Sequence, residues 1–296
     1  MVTEKSLAPE VVARLVTTSH GRIYVSDRGG NEPAVVLMHG FPDDSRIYNR
    51  LVPELSPRRS VAFDFAGHGR SGRPKLNSSA PAQHARQLGA IVDVLGLDRI
   101  TLVGHGASGP VAIDYALSQP SRVGHLVLLN TFYGRAPDLR LPEMIRLFAD
   151  HNFTPLADAM MAEKDQRLWL LVHTARQFGG DPLDPNGVGV ISVFPQFFGD
   201  GTSPNALPAI RSWTAALFGE LDRQDRRITG GELGALQVPV TLLFGAQDRY
   251  LSLELGHHLI GLFPRADLHS VEDASHWPQW DQPKKVAQLI KAVAVS

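Results

Sequence analysis

Gly104-His105-Gly106-Ala107-Ser108-Gly109 is a run of small residues directly after an apolar stretch, 100–103, and directly before a helical pattern, 111–118. A strand that reverses sharply into a helix needs small residues at such offsets, because its backbones cross closely. The tip of such a turn could hold a side chain clear of a sheet. Here the tip is Gly106, which has no side chain. Farther along, Asp248 stands just past the apolar run 240–244, and His276 lies in Ala274-Ser275-His276-Trp277-Pro278-Gln279-Trp280. A carboxylate that accepts a hydrogen bond from one imidazole nitrogen fixes the tautomer, and the other nitrogen can then take and return a proton. Glycine adopts the turn conformation without the cost, about 1–3 kcal/mol, that a residue with a side chain bears there. Gly106 therefore preserves the turn while removing any attacking atom.

Two further turns follow apolar runs. His39-Gly40-Phe41-Pro42 comes after 34–38, and Asp64-Phe65-Ala66-Gly67-His68-Gly69-Arg70-Ser71 closes 60–65. The second reads as structural, with glycines for the bend and polar groups for nearby backbone. Ser108 is a candidate substitute nucleophile, since Gly-Ala-Ser-Gly evokes Gly-x-Ser-x-Gly. However, Pro110 stands where that signature wants glycine, and a tip at Ser108 would slide the turn two residues past the strand.

The elements that must position these residues alternate. Strands are expected at 11–17, 22–27, 34–38, 60–65, 100–103, 125–129, 238–245 and 266–270. Helical spacing is expected at 47–55, 83–95, 111–118, 253–263 and 286–295. Alternation of this kind makes a mostly parallel sheet flanked by helices, with right-handed crossovers. The pattern breaks near Gly134. Residues 135–235 carry no clear strand and are rich in aromatics, including Phe148, Trp169, Phe178, Phe194, Phe197, Phe198, Trp213 and Phe218. This block is expected to be a helical cap, inserted into a core made of 1–134 and 236–296 over the sheet edge where such sheets bind ligands.

Composition narrows the class. The 296 residues are 43% hydrophobic and 20% charged, with formal net charge −1 and no cysteine. Such a balance gives no attraction to nucleic acid or an anionic membrane. Without cysteine there is no disulfide, thiolate nucleophile or thiolate metal site. No run approaches the ~18–20 apolar residues of a membrane span. The expectation is a cytoplasmic enzyme with a small-molecule substrate and no cofactor.

Taken together, these ordered motifs resemble the α/β-hydrolase superfamily with a helical cap, over residues from about 20 to the end. The resemblance implies that Asp248 is the orienting acid and His276 the catalytic base. It implies that the backbone N–H groups of Phe41 and Ala107 form an oxyanion hole, with His39 and Trp277 near the substrate. It also implies a nucleophile at position 106, where this chain has glycine. His-Gly-Phe-Pro and His-Trp-Pro-Gln-Trp are similar to segments of epoxide hydrolases, dehalogenases and C–C bond hydrolases. The first two need an elbow Asp. Epoxide hydrolases also use cap tyrosines, and none of the five tyrosines lies within 135–235. The aromatic cap favours a small, partly hydrophobic molecule. Four readings follow. The chain is a non-covalent enzyme using the Asp248–His276 dyad for hydrolysis or for lyase or cyclase chemistry. Alternatively, it is a serine hydrolase with Gly106 as an engineered knock-out, a non-catalytic ligand-binding protein, or an enzyme using Ser108.

Overall fold

Eight strands form one sheet in the order β1-β2-β4-β3-β5-β6-β7-β8. They are β1 (Val11–Thr18), β2 (Gly21–Arg28), β3 (Asn31–Met38), β4 (Arg58–Phe63), β5 (Ile100–Gly106), β6 (Val123–Thr131), β7 (Val240–Gly245) and β8 (Ala266–Val271). The computed structural model describes residues 11–73, 81–178 and 207–294. β2 runs antiparallel to both β1 and β4, and every other neighbour pair is parallel. The fold is therefore α/β with a mostly parallel sheet, as the alternation of elements implies.

Both faces of the central strands are covered, which is why they read as unbroken apolar runs rather than as alternating ones. Along β3, Val35 and Leu37 point into one core, while Val36 and Met38 point into the other. The first core is covered by α9 (Pro283–Val293) through Val286, Ala287 and Ile290. The second is covered by α1 (Pro81–Val94) through Leu88, Ile91 and Val92, and by α2 (Gly109–Ser118) through Val111, Ala112 and Ile113. These side chains are fully or almost fully buried, and each contributes about 1–3 kcal/mol relative to exposure.

One expected helix is absent. Residues 47–55 form two single 3-10 turns, Ser45–Tyr48 and Val52–Leu55. Pro53 has no N–H to donate back to Asn49, so a helix begun at 47 cannot continue through it. The Tyr48 hydroxyl instead donates to the Met38 carbonyl at 2.6 Å and ties this segment to the end of β3.

Between β6 and β7 the described residues form α3 (Glu143–Ala149), α4 (Thr154–Ala162), α5 (Lys164–Gln177) and α6 (Leu207–Thr229). Residues 179–206, with Phe194, Phe197 and Phe198, lie outside the described residues. The far end of α6 is anchored to the sheet side by charge. Asp114 of α2 accepts from the Tyr133 hydroxyl at 2.7 Å and from Arg227 at 2.8 Å, and it also pairs with Arg223. The remaining helices are α7 (Leu253–Ile260) and the short α8 (Pro278–Asp281).

The strand order makes the site. β4 and β5 lie on opposite sides of β3, so the sheet reverses direction of growth there, and the loops after β3 and β5 diverge to leave a crevice. Met38 pairs with Gly104, which places the Gly40-Phe41 turn beside the turn at Gly106.

Candidate active site

The turn after β5 is built as its residue types suggest. Gly106 has φ +53°, in the left-handed region where a side chain costs strain. Space matters as much as conformation three residues later. A Cβ on Gly109 would sit 1.9 Å from Thr131 Oγ1, so only glycine lets α2 start this close to β6. The Thr131 hydroxyl in turn donates to the Gly106 carbonyl at 2.5 Å, pinning the tip.

The carboxylate and imidazole converge from separate strands. His276 Nδ1 lies 2.6 Å from Asp248 Oδ2, and both side chains are almost wholly buried. Asp248 is held by more than the histidine. Its Oδ1 accepts the backbone N–H groups of Tyr250 at 2.9 Å and Leu251 at 3.1 Å, and its Oδ2 accepts from Asn130 Nδ2 at 2.9 Å. With Oδ2 accepting at Nδ1, the imidazole carries its proton there and presents the Nε2 lone pair on the other side. A Cβ placed on Gly106 would lie 3.5 Å from that Nε2, an ordinary van der Waals separation. Among the described residues, no group hydrogen-bonds to Nε2.

Gly106, Ala107, Phe41 and His276 share a cleft with Phe132, Arg140, Leu141, Pro142, Ile145, Phe178, Leu251 and Trp213 of α6. The cleft encloses about 370 Å³, part of it open to solvent. Its walls are mostly apolar. Phe41 stacks on Trp213 at 4.3 Å between ring centres, and Phe178 packs on the His276 ring at 4.4 Å. Neither the Phe41 nor the Ala107 N–H donates to any described group, so two backbone donors remain free at the cleft wall.

Three of the expected residues have their polar atoms engaged within the protein. His39 Nε2 accepts the Phe65 N–H at 3.0 Å, and its Nδ1 meets the Gly40 carbonyl at 2.8 Å. Both ring nitrogens are thus committed to backbone, and the ring braces the turn. The Trp277 indole N–H points at Asp43, 3.4 Å away, and the ring packs edge-on against His276. Trp277 thus packs against the His276 ring. The Ser108 hydroxyl accepts the His105 N–H at 2.9 Å and faces the Met38 and His105 carbonyls at 2.9 and 3.0 Å. It is spent inside the turn, as the register with the tip at Gly106 requires, and does not meet His276. The Asp64 loop is structural: Asp64 accepts the N–H groups of Ser45 and Arg70, each at 2.8 Å.

Other supports carry weaker sequence signals. Asn130 takes φ +31° and clamps two loops at once, donating to Asp248 while its Oδ1 accepts the Gly245 N–H at 2.8 Å. The clue was Asn130-Thr131, a polar pair closing an otherwise apolar strand. Gly245 is needed for a close approach, since a Cβ there would lie 2.0 Å from the Ser275 carbonyl. That contact brings the Asp248 and His276 loops together. His105 Nε2 donates to the His276 carbonyl at 2.8 Å, and its Nδ1 lies 3.5 Å from Asp43. Burial holds His105 below the usual imidazole value even beside that carboxylate. Burial would raise Asp43, but the neighbouring His105 and His276 hold it below the usual carboxylate value.

An eight-stranded sheet with this order, a sharp glycine turn after β5, and a carboxylate–imidazole pair from the loops after β7 and β8 defines a class. The protein belongs to the α/β-hydrolase fold family, whose family model, described as alpha/beta hydrolase fold, matches residues 33–283. It is an enzyme of the hydrolase class. One relative is a 2-hydroxy-6-oxononadienedioate/2-hydroxy-6-oxononatrienedioate hydrolase of Cupriavidus pinatubonensis. It is 25% identical over 309 residues, covering 94% of this chain and 93% of its own. A solved 2-hydroxy-6-oxo-6-phenylhexa-2,4-dienoate hydrolase from Rhodococcus matches with TM-score 0.79 at 18% identity, over 96% of this chain and 99% of that one. An esterase from Exiguobacterium antarcticum matches with TM-score 0.75 at 19% identity, over 96% and 100%. These two structures share the fold. No helix among the described residues is long and apolar enough to cross a membrane.

Proposed function

We propose that this chain works by general-base catalysis without a covalent step, on a small, partly apolar molecule bound above Gly106. His276, oriented by Asp248, takes a proton from water as the water oxygen attacks a substrate carbonyl. The N–H groups of Phe41 and Ala107 hold the oxyanion that forms, and the imidazolium returns its proton to the leaving group. The same base serves a lyase or cyclase reaction if the proton comes from a substrate C–H or O–H instead. Residues 135–235 act as a lid on the core formed by 1–134 and 236–296, with Trp213 and Ile145 closing the apolar side of the cleft.

The observation that carries the reading is the distance from Gly106 to His276. The imidazole nitrogen faces an empty backbone bend across a gap of side-chain size. A second reading draws on the same distance: a serine side chain would fit there, so the active form could be a serine hydrolase whose nucleophile Gly106 replaces.

Gly106→Ser separates the two. The test is turnover of a panel of aryl esters and of 2-hydroxy-6-oxo-dienoates, the chemistry named for the relatives. The non-covalent reading expects the unaltered chain to turn over at least one of them and Gly106→Ser to lose that activity. Inactivity of the unaltered chain, with activity and fluorophosphonate labelling gained in Gly106→Ser, establishes the serine hydrolase reading instead.

A further inference from the structure

A second, larger cavity adjoins the cleft. It is lined by Leu139, Arg140, Leu141, Glu143, Arg146, Gln177, Arg249 and Tyr250, and encloses about 1040 Å³ open to solvent. The two cavities share Arg140 and Leu141 as wall residues. Chain neighbours also face one cavity each: Gln177 and Tyr250 line the outer one, while Phe178 and Leu251 line the inner. The outer cavity therefore lies directly beside the cleft that holds His276.

Among the described lining residues its charge is one-sided. Three guanidiniums, of Arg140, Arg146 and Arg249, stand against one carboxylate, Glu143, which is engaged by the Tyr250 hydroxyl. None of the three arginines makes an ion pair or a side-chain hydrogen bond among the described residues, and all three are exposed. What sets them apart is position: Arg140, Arg146 and Arg249 line one concave surface beside the cleft. Guanidiniums present planar donor forks suited to carboxylate or phosphate, and a concave site of one sign raises the local concentration of the opposite charge. The inner cleft offers the complement, an apolar pocket ending at the base.

We propose that the outer cavity is a vestibule to the cleft and selects substrates with an anionic oxyacid head on a short apolar body, with the head held by Arg140, Arg146 and Arg249 and the body reaching the cleft. This rests on the cleft being the reaction site, but not on the reaction being non-covalent. The head is a carboxylate or a phosphate, which share this chemistry and are told apart by the probes.

The experiment is calorimetric binding to full-length His276→Ala, which removes turnover. The probes are hexanoate, hexyl phosphate and 1-hexanol. At low ionic strength one of the two anions should bind at least about tenfold tighter than hexanol, and the preference should shrink on adding salt. The exposed double change Arg146→Gln, Arg249→Gln, at residues outside the inner cleft, should cut it at least about fivefold while leaving hexanol binding within about twofold. Equal affinity for hexanol and both anions, no anion binding up to about 10 mM, or a preference unchanged by the double change would overturn the proposal. Failure here leaves the role of His276 untouched, because that role is read from turnover.

Discussion

At the scale of single residues, the central observation is that His276 Nε2 faces Gly106 with no hydrogen-bond partner among the described residues. The Asp248–His276 couple is restrained on every side: Asn130 and two backbone N–H groups hold the acid, and the Phe178 carbonyl and His105 hold the backbone of the base. Such restraint serves proton transfer, which depends on fixed geometry. Gly106 supplies the space opposite. Gly106→Ala puts a methyl into that space at φ +53°. It should cost about 1–2 kcal/mol of stability and reduce turnover at least about tenfold by displacing the attacking water. Urea unfolding and steady-state rates check both effects; unchanged turnover would mean the space is not used.

At the scale of elements, close approach decides which glycines matter. Gly109→Ala drives a methyl into Thr131 at the junction of α2 and β6 and should destabilise by about 1–3 kcal/mol or more. Gly219→Ala, in α6 with nothing within 4 Å, should stabilise by up to about 1 kcal/mol. Thermal or urea unfolding of the pair tests the turn geometry directly, and equal effects would contradict it. The same contrast explains what was legible. The small residues at 104, 106 and 109 mark the turn because the constraint is local in sequence. Asp248 and His276 stand out by order and by position after strands. The roles of Asn130 and Gly245 depend on contacts between loops far apart in the chain, which no local spacing encodes. The backbone bonds of His39 were not legible, because a histidine beside a glycine turn looks the same whether its ring nitrogens face a cleft or backbone. The helix expected at 47–55 failed at a single missing donor, Pro53.

At the scale of the whole molecule, buried histidines tie folding to pH. Burial drives His68 down to about 3 and holds His84 well below 6.5. Each therefore stays neutral in the folded chain but protonates in the unfolded chain below its ordinary value of 6.5. Stability from this source is full above pH 6.5 and falls as pH drops below it, by about 2 kcal/mol for His68 between pH 7 and 5. His68→Asn should shrink the loss between these pH values by about that amount, as read from urea unfolding at both. An unchanged difference would place the pH sensitivity elsewhere. The same architecture brings loops from β3, β5, β7 and β8 to one edge, where we propose that His276 acts as the base without a nucleophile at position 106. The most direct measurement of that claim is turnover of the best substrate by the unaltered enzyme and by His276→Ala, with intact-protein mass recorded during the reaction. The account predicts turnover with no added mass on the protein and a loss of about 10²–10⁴-fold in kcat for His276→Ala. A covalent adduct during turnover, or His276→Ala active within about threefold of the unaltered chain, would contradict it.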